Sequence, residues 1–237
     1  WFAGEVFPTR QFLQWYDALP KALFVNLYGP VEITLDCTYH IFTSRPKDTD
    51  PLPIGKPFTN YDVFLLNDDN EICKNKEEGE ICVRSSSLAL GYYNDIEKTK
   101  DSFVQNPLNN LYPEIIYRTG DLAFREDDGN FIFVGRRDSI IKHLGYRIEL
   151  SEIEHMLHNE LQMVNYCCAI YDKVKKRIIL FYENETEISK EQFRKRLIKV
   201  IPSYMIPDLY IHLDIIPRNI NGKIDRYALN KIADVNC

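Results

Sequence analysis

The sequence lacks the features that would place it in a membrane, on nucleic acid or behind a signal peptide. No apolar run approaches the roughly 20 residues that a membrane-spanning helix needs, and the residues after Trp1 do not resemble a signal peptide. The formal net charge is −6, which provides no basic surface for nucleic acid or an anionic membrane. We therefore expect no nucleic-acid partner and no membrane partner.

Cysteine is too sparse and too irregularly spaced to define a disulfide framework or a zinc site. The chain has six cysteines and five histidines, without the paired spacing that zinc ligands show. Cys73 and Cys82 could face each other across a hairpin, but we expect buried free thiols. This favours a reducing, cytoplasmic setting.

The apolar pattern predicts a mixed α/β fold, and 237 residues can bury a real core in one large or two small domains. Residues 11–18 and 94–103 are expected to be helical, and residues 62–66 and 71–74 to form a hairpin. Further along, Ser151 with Glu154 and Ser189 with Gln192 are predicted capping boxes. His143, His155 and His158 are expected on the surface of helices or strands.

Residues 117–154 hold charged side chains at strand ends and beside glycines, where a backbone can approach a ligand closely. Residues 127–130, Asp-Asp-Gly-Asn, are a strong signal for a hairpin turn between apolar runs. On these residues alone, a β-meander with solvated turns is the competing interpretation, because charges in turns are common.

Several motifs in order resemble those of the adenylate-forming ligases, which include acyl-CoA synthetases, luciferases and the adenylation domains of peptide synthetases. The motifs are NLYGPVE (residues 26–32), GEICVRSSSLALGYYN (79–94), YRTGDL (117–122), GRRDSIIKHLGYRIELSEIE (135–154) and NGKIDR (221–226). The resemblance covers nearly the whole chain. It implies ATP and Mg²⁺ as cofactors.

The resemblance assigns nucleotide-binding roles to side chains that suit them chemically. It implies that Tyr28 packs on adenine, Glu32 helps to hold Mg²⁺, and Asp121 and Arg136 contact the ribose. Val31 replaces a threonine that contacts the α-phosphate in the family, a loss of about 0.5–1.5 kcal/mol. The alternatives are a plain turn at residues 28–32 and a surface ion pair at Arg136.

The C-terminal motifs imply a moving catalytic part. Lys223 follows Asn-Gly in a tight turn and would offset charge while the carboxylate attacks the α-phosphorus. Asp138 matches the family's hinge residue, and the loop with Gly145 would approach the thiol channel. A solvated turn lysine is the alternative for Lys223.

The substrate is expected to be a small carboxylic acid, more specifically an amino acid, activated as an acyl-adenylate and passed to a pantetheine thiol. The residues LPIGKP (52–57) and GKIDR look closer to amino-acid-activating domains and D-alanine–carrier-protein ligases than to fatty acyl-CoA synthetases. Ala3, Leu27, Leu35 and Asp36 match the family's substrate pocket, and Asp36 would face a polar or cationic group. The acceptor is expected to be a carrier protein with a phosphopantetheine arm, or CoA.

The resemblance also divides the chain. Residues 1–137 are expected to be the distal, β-rich part of the large adenylation subdomain, and residues 138–237 a small α+β lid. The family's phosphate loop and amine-binding aspartate lie upstream and are missing here, so the missing N-terminal half is an expected partner and residues 1–237 alone should be inactive. The alternatives are a fragment that binds a partner without catalysis and half of an aryl-acid or acyl-CoA ligase.

Overall fold

The computed structural model describes residues 1–220 and 222–236, without the side chains of residues 138, 159, 235 and 236. The chain divides into two compact units, residues 1–137 and residues 138–237. The boundary therefore lies inside the motif of residues 135–154. Helices and sheets occur in both units, which confirms the predicted mixed α/β class.

The first unit begins with a small four-stranded sheet in the order β1-β2-β3-β4. Its strands are β1 (Phe2–Ala3), β2 (Val25–Tyr28), β3 (Thr38–Ile41) and β4 (Lys56–Pro57). Helix α1 (Thr9–Ala18) buries Phe12 and Leu13 against aromatic side chains of this part. A short 3-10 turn, Val31–Ile33, follows β2.

A second, five-stranded sheet forms the rest of unit 1, with β9 paired to the central strand β8. Its elements are β5 (Asp62–Leu66), β6 (Gly79–Arg84), helix α2 (Ile96–Ser102), β7 (Phe103–Gln105), β8 (Ile115–Arg125) and β9 (Phe131–Arg136). All pairings in this sheet are antiparallel, and β8 contacts three other strands. Strand β8 is thus the central strand of this sheet.

The turn between β8 and β9 forms as predicted. Gly129 adopts a φ of +87°, which favours glycine, and Asp128 Oδ1 accepts a hydrogen bond from the Asn130 backbone N–H at 2.9 Å. The hairpin prediction for residues 127–130 is confirmed.

The predicted hairpin of residues 62–66 and 71–74 is confirmed in part. Asn67 N–H donates to the Glu71 carbonyl at 3.0 Å, Cys73 N–H donates to the Leu65 carbonyl at 3.0 Å, and Ile72 bridges Leu66 in the antiparallel sense. Asn67 Oδ1 also accepts the backbone N–H groups of Asp69 and Glu71 and closes the turn. Residues 71–74 do not continue as a strand, and β5 pairs along its length with β6.

The second unit is a three-stranded sheet covered by helices, with a separate two-stranded hairpin. Its elements are β10 (Ile140–His143), β11 (Tyr146–Glu149), α3 (Leu150–His155), β12 (Tyr166–Asp172), β13 (Arg177–Glu183), α4 (Lys190–Leu197), β14 (Leu209–Leu213) and α5 (Arg226–Asn236). Helix α3 continues as a π-helical turn, Met156–Glu160. Strand β13 pairs antiparallel with β12 and parallel with β14.

One of the two predicted capping boxes is confirmed. Ser189 caps α4 and exchanges hydrogen bonds with Gln192 in both directions. The prediction at Ser151 is wrong, since α3 already begins at Leu150 and the Ser151 hydroxyl donates to Glu149. Glu154 does not fold back on the helix start, because its carboxylate accepts Ala169 N–H at 2.8 Å and Arg226 Nη2 at 2.9 Å.

The histidine and cysteine predictions have mixed outcomes. His143 is buried, with its Nδ1 3.4 Å from the Tyr171 hydroxyl, so its expected surface position is wrong. Cys73 and Cys82 are buried free thiols, as predicted.

Among the described residues, no helix is long and apolar enough to cross a membrane.

The capping box makes Ser189 a test of the second unit's stability. Replacing Ser189 with alanine removes the oxygen that accepts the Gln192 backbone N–H, and should lower the free energy of unfolding by about 1 kcal/mol. Denaturant unfolding followed by circular dichroism measures this change. Ser203→Ala is the matched control, because Ser203 is exposed and the cap residue of its 3-10 turn is Pro202. An equal loss in both variants would contradict the role of the cap.

Candidate functional site

Three of the predicted site residues meet in unit 1. Tyr28 is the last residue of β2, while Asp121 and Arg136 are direct cross-strand partners on β8 and β9. Asp121 Oδ2 accepts the Tyr28 hydroxyl at 2.5 Å, and Oδ1 accepts Arg136 Nη1 at 2.8 Å. The structure therefore joins residues that are 93 positions apart in the sequence around one carboxylate.

Hydrogen bonds fix the backbone that carries the Asp121 carboxylate. Asp121 is 8% exposed, and its N–H donates to Thr119 Oγ1 at 2.9 Å. The Thr119 hydroxyl in turn donates to the Ile81 carbonyl at 2.9 Å on the adjacent strand β6. Because an ionised carboxylate offers about four lone-pair positions, Asp121 can accept further hydroxyl donors.

Tyr28 stays protonated at this site. Burial raises the pKa of Tyr28 well above its ordinary value, and the nearby charge of Asp121 raises it further. The neutral phenol is the form that can donate to the carboxylate. Tyr28 therefore remains a donor to Asp121 at the pH where an ordinary tyrosine ionises.

The turn after Tyr28 places Glu32. A Cβ atom on Gly29 would lie 2.1 Å from the Leu35 carbonyl oxygen, so only glycine allows this close approach. The Cys37 N–H closes the loop by donating to the Tyr28 carbonyl at 2.7 Å.

Glu32 is held by a tyrosine that the sequence did not single out. The Tyr92 hydroxyl donates to Glu32 Oε1 at 2.6 Å and lies 3.3 Å from the Tyr117 hydroxyl. Burial raises the pKa of Tyr92, and its bond to Glu32 adds to the rise. The Ala89 N–H also donates to the Glu32 backbone carbonyl at 2.7 Å. One carboxylate is thus positioned by side-chain and backbone contacts together.

A cavity of about 640 Å³ opens beside these residues within unit 1. Its described lining includes Glu32, Tyr92, Lys98, Tyr117, Gly120 and Arg136. Gly120 directly precedes Asp121 and Arg136 donates to its carboxylate, so the cavity lies beside the Tyr28–Asp121–Arg136 set.

Val31 lies in the same turn as Glu32 and is 82% exposed. Its side chain has no hydrogen-bonding group, so it cannot supply the hydroxyl that the resemblance expects at this position.

The predicted substrate residues fall into two pairs, one in the small sheet and one in the loop before β3. Ala3 and Leu27 are partners across the parallel β1–β2 pair. Leu35 and Asp36 follow the 3-10 turn, and Leu35 is 70% exposed. Burial raises the pKa of Asp36.

Short hydrogen bonds inside unit 2 hold the described part of the loop that carries Lys223. Asn219 N–H donates to the Lys223 carbonyl at 2.8 Å, and Lys223 N–H donates to Asn219 Oδ1 at 3.1 Å. Gly222 has a φ of +80°. Asn221 of the motif lies outside the described residues. The tight turn predicted around an exposed Lys223 is present.

The remaining two predicted positions lie at the start of unit 2. The backbone of Asp138 belongs to a 3-10 turn, Arg137–Ser139, and its side chain lies outside the described part. Gly145 has a φ of +85° in the turn between β10 and β11, next to Leu144 at +51°. Tyr146, the residue after it, stacks on Tyr204 with ring centroids 3.8 Å apart.

Sequence reasoning missed Glu80, Arg118 and Tyr92, although all three contact the site. Glu80 had a usable signal, because it is the single charge in a buried run, Gly79–Val83, and a buried charge needs a partner. Arg118, on β8, and Tyr92 had no such signal, because the sequence alone does not show which carboxylates they contact.

Comparisons with known proteins give a consistent family. A profile described as "AMP-binding enzyme" matches residues 1–93. Surfactin synthase subunit 1 of Bacillus subtilis (strain 168) is 36% identical over 237 residues, covering 99% of this chain and 6% of that protein. Tyrocidine synthase 1 of Brevibacillus parabrevis is 34% identical over 229 residues, covering 96% of this chain and 21% of that protein.

Among solved structures, Klebsiella oxytoca NpsA in complex with 3-hydroxyanthranilyl-AMSN is similar to this chain, with a TM-score of 0.78 and 27% identity. The match covers 98% of this chain and 47% of that one. The chain thus spans less than half the length of these relatives.

The protonation of Tyr28 can be tested by titration. Because burial and Asp121 raise the pKa of Tyr28, this residue should not ionise near pH 10, where exposed tyrosines do. Ultraviolet absorbance should therefore change by the same amount between about pH 8 and 11 in wild type and Tyr28→Phe. A free tyrosine derivative is the control, since an unperturbed tyrosine ionises near pH 10. A smaller absorbance change in Tyr28→Phe than in wild type over this range would contradict the assignment.

Proposed function

Since the chain belongs to the adenylate-forming, AMP-binding enzymes, we propose that it forms the ribose-binding and lid part of an ATP-dependent carboxylate–thiol ligase. The observation that carries the proposal is the set formed by Tyr28, Asp121 and Arg136 around one carboxylate. The substrate in this proposal is a small carboxylic acid, and within that class an amino acid. The active polypeptide joins this chain to the upstream half that supplies the phosphate loop.

ATP binds with its sugar at Asp121. The two ribose hydroxyls donate to the carboxylate, which has lone pairs left beside the bonds from Tyr28 and Arg136. Arg136 neutralises the carboxylate and contacts the same sugar, while the ring of Tyr28 packs on the adenine. The two oxygens of the Asp121 carboxylate suit a diol better than a single hydroxyl.

Glu32 is the residue that would hold Mg²⁺. Among the described residues no group of three or more His, Cys, Asp or Glu could hold a metal ion. A single carboxylate fits Mg²⁺ that arrives with a nucleotide, since this ion is usually held through one or two carboxylates plus substrate phosphates and water. When bound, the ion would neutralise charge on the phosphate oxygens.

Lys223 assists the first half-reaction. A carboxylate oxygen of the acid attacks the α-phosphorus, the bond to the bridging oxygen breaks, and pyrophosphate leaves with the electron pair. The Lys223 ammonium offsets negative charge on the carboxylate and phosphate as they approach. Its loop suits this task because Asn219 fixes the backbone on both sides of the turn.

The second half-reaction transfers the acyl group to a pantetheine thiol of a carrier protein or CoA. The thiol sulfur attacks the acyl carbon, its proton is released, and AMP leaves as the second product. Lys223 has to withdraw before the thiol can enter, so one rigid arrangement cannot serve both steps. Asp138 is the pivot in this proposal, and the turn at Gly145 is the part that approaches the thiol.

Asp36 bears on which acid is used. A carboxyl group in the wall formed with Ala3, Leu27 and Leu35 favours an acid whose side chain is polar or cationic. The second candidate is an aryl acid, favoured by the similarity to NpsA, whose structure holds 3-hydroxyanthranilyl-AMSN. Pyrophosphate exchange with a panel of amino acids and hydroxylated aryl acids separates the two.

In the complete polypeptide, Lys223→Ala should reduce adenylation by roughly 10²–10³-fold, the cost of losing one preorganised charge stabiliser. ATP–pyrophosphate exchange measures this step. Lys199→Ala is the matched control, because Lys199 is exposed in the same unit and should leave the rate unchanged. Exchange within about threefold of wild type in Lys223→Ala would show that another residue supplies the charge.

Proline at position 138 tests the pivot. Proline fixes φ near −65° and removes the backbone donor, so Asp138→Pro should trap one arrangement of the hinge. Adenylation should survive while thiol loading falls by about tenfold or more. Asp138→Ala changes the side chain without this restriction and should load normally. Equal losses of both half-reactions in the proline variant would indicate misfolding, and normal loading would exclude Asp138 as the pivot.

A further inference from the structure

Glu80 is a buried carboxylate that the proposed reaction does not use. It is 4% exposed and lies on β6 inside the motif of residues 79–94, to which no catalytic or binding role has been given above. Burying a charged group is costly unless it is paired and hydrogen-bonded. A glutamate at this position therefore needs a physical reason.

The contacts of Glu80 converge on the loop that carries Asp121. Arg118 donates from both Nε, at 2.9 Å, and Nη2, at 2.6 Å, to Glu80 Oε2. The other oxygen, Oε1, accepts the backbone N–H of Gly120 at 3.0 Å. Glu80 thus binds the residue immediately before Asp121 and a side chain two residues before that.

The pairing with Glu80 stabilises the charged form of Arg118. Burial opposes the charged guanidinium, but the hydrogen bond and the charge of Glu80 outweigh it and raise the pKa of Arg118. Both Arg118 donors share Oε2, which leaves Oε1 of the same carboxylate for the Gly120 N–H.

The backbone of the loop needs such support. Gly120 has a φ of +72°, a conformation that favours glycine, and a Cβ atom there would lie 3.3 Å from Arg136 Nη2. The pairing of β6 with β8 also shifts register between Glu80 and Cys82. Irregular backbone beside a site is a common means of directing a side chain. At this irregular point Glu80 Oε1 accepts the Gly120 N–H and so fixes the backbone.

Glu80 also lies near the other strand of the site. Arg137 follows Arg136 directly, and its Nη2 is 3.6 Å from Glu80 Oε2 while its Nη1 donates to Asp68 at 3.0 Å. The same carboxylate is therefore close to the chain on both β8 and β9, next to the Asp121–Arg136 pair.

We infer that Glu80 is the positioning residue of the ribose site: it holds Gly120 and Arg118 so that Asp121 presents its carboxylate to the two hydroxyls of the sugar. This inference rests on the proposed ribose role of Asp121. It gives Glu80 no contact with the nucleotide.

The test compares nucleotides that differ by one hydroxyl. In the complete polypeptide, KM and kcat are measured with ATP and with 2′-deoxy-ATP, for wild type and Glu80→Gln. Glutamine keeps the size but loses the charge that orients Arg118. We expect the preference for ATP over 2′-deoxy-ATP to fall by about tenfold, the worth of one hydrogen bond to a charged group. The loss should lie in KM for ATP, with KM for the acid unchanged.

A matched control and a reference variant separate the possible outcomes. Glu114→Gln removes a carboxylate at the opposite end of β8 that accepts Arg84 Nη1 at 2.7 Å, and should leave the preference intact. Asp121→Asn should abolish the preference. If Asp121→Asn retains it, the proposed ribose role is wrong and the inference falls with it. If Asp121→Asn loses it and Glu80→Gln does not, only the role of Glu80 is wrong.

A purely structural Glu80 would give another pattern, in which both nucleotides and the acid suffer equally. That result would also overturn the inference. Should Glu80→Gln not fold, Glu80→Asp replaces it, because aspartate keeps the charge but is one methylene too short to reach Arg118 and Gly120 together. A folded Glu80→Asp protein with an unchanged preference for ATP would contradict the role of Glu80.

Discussion

The first unit depends on supplying hydrogen-bond donors to two carboxylates inside an antiparallel sheet. Asp121 and Glu80 are 8% and 4% exposed, so each would be strongly unfavourable without partners. Their donors come from β2, β8 and β9 and from the backbone between Arg118 and Asp121. Because these donors lie far apart in the sequence, the strands must pair in one register for both carboxylates to be satisfied. The strand register that satisfies both carboxylates is therefore also the register that assembles the candidate site.

The sequence predicted those parts of the fold whose causes are local. The turn at residues 127–130 depends on Gly129 and Asp128, and the Ser189 cap on a partner three residues away. The expected cap at Ser151 was wrong because Glu154 has a distant and stronger competitor in Arg226. Likewise, β6 is buried on both faces from Gly79 to Val83, because it lies between β5 and β8 in the sheet. Long-range pairing decides such cases, and one sequence without its partners does not reveal it.

The candidate site shows the same division between local and distant causes. Motif order was enough to name Tyr28, Asp121 and Arg136, which the structure brings into contact. Tyr92 and Glu80 could not be assigned in this way, since what they do depends on Glu32 and Gly120, 60 and 40 positions away. Both lie inside a motif, but a motif does not show which distant carboxylate or backbone group a side chain contacts.

The placement of Glu32 does not depend on the side chain of Val31, because the contacts that hold Glu32 are made elsewhere. Glu32 is held by the Tyr92 hydroxyl on its side chain and by the Ala89 N–H on its carbonyl, and neither bond involves the side chain of residue 31. The turn itself closes through backbone bonds from Ile33 to Pro30 and from Thr34 to Val31. The side chain of Val31 is 82% exposed and takes no part in these bonds. Backbone geometry and Tyr92 therefore place the carboxylate, and a change of the side chain at position 31 should leave it where it is.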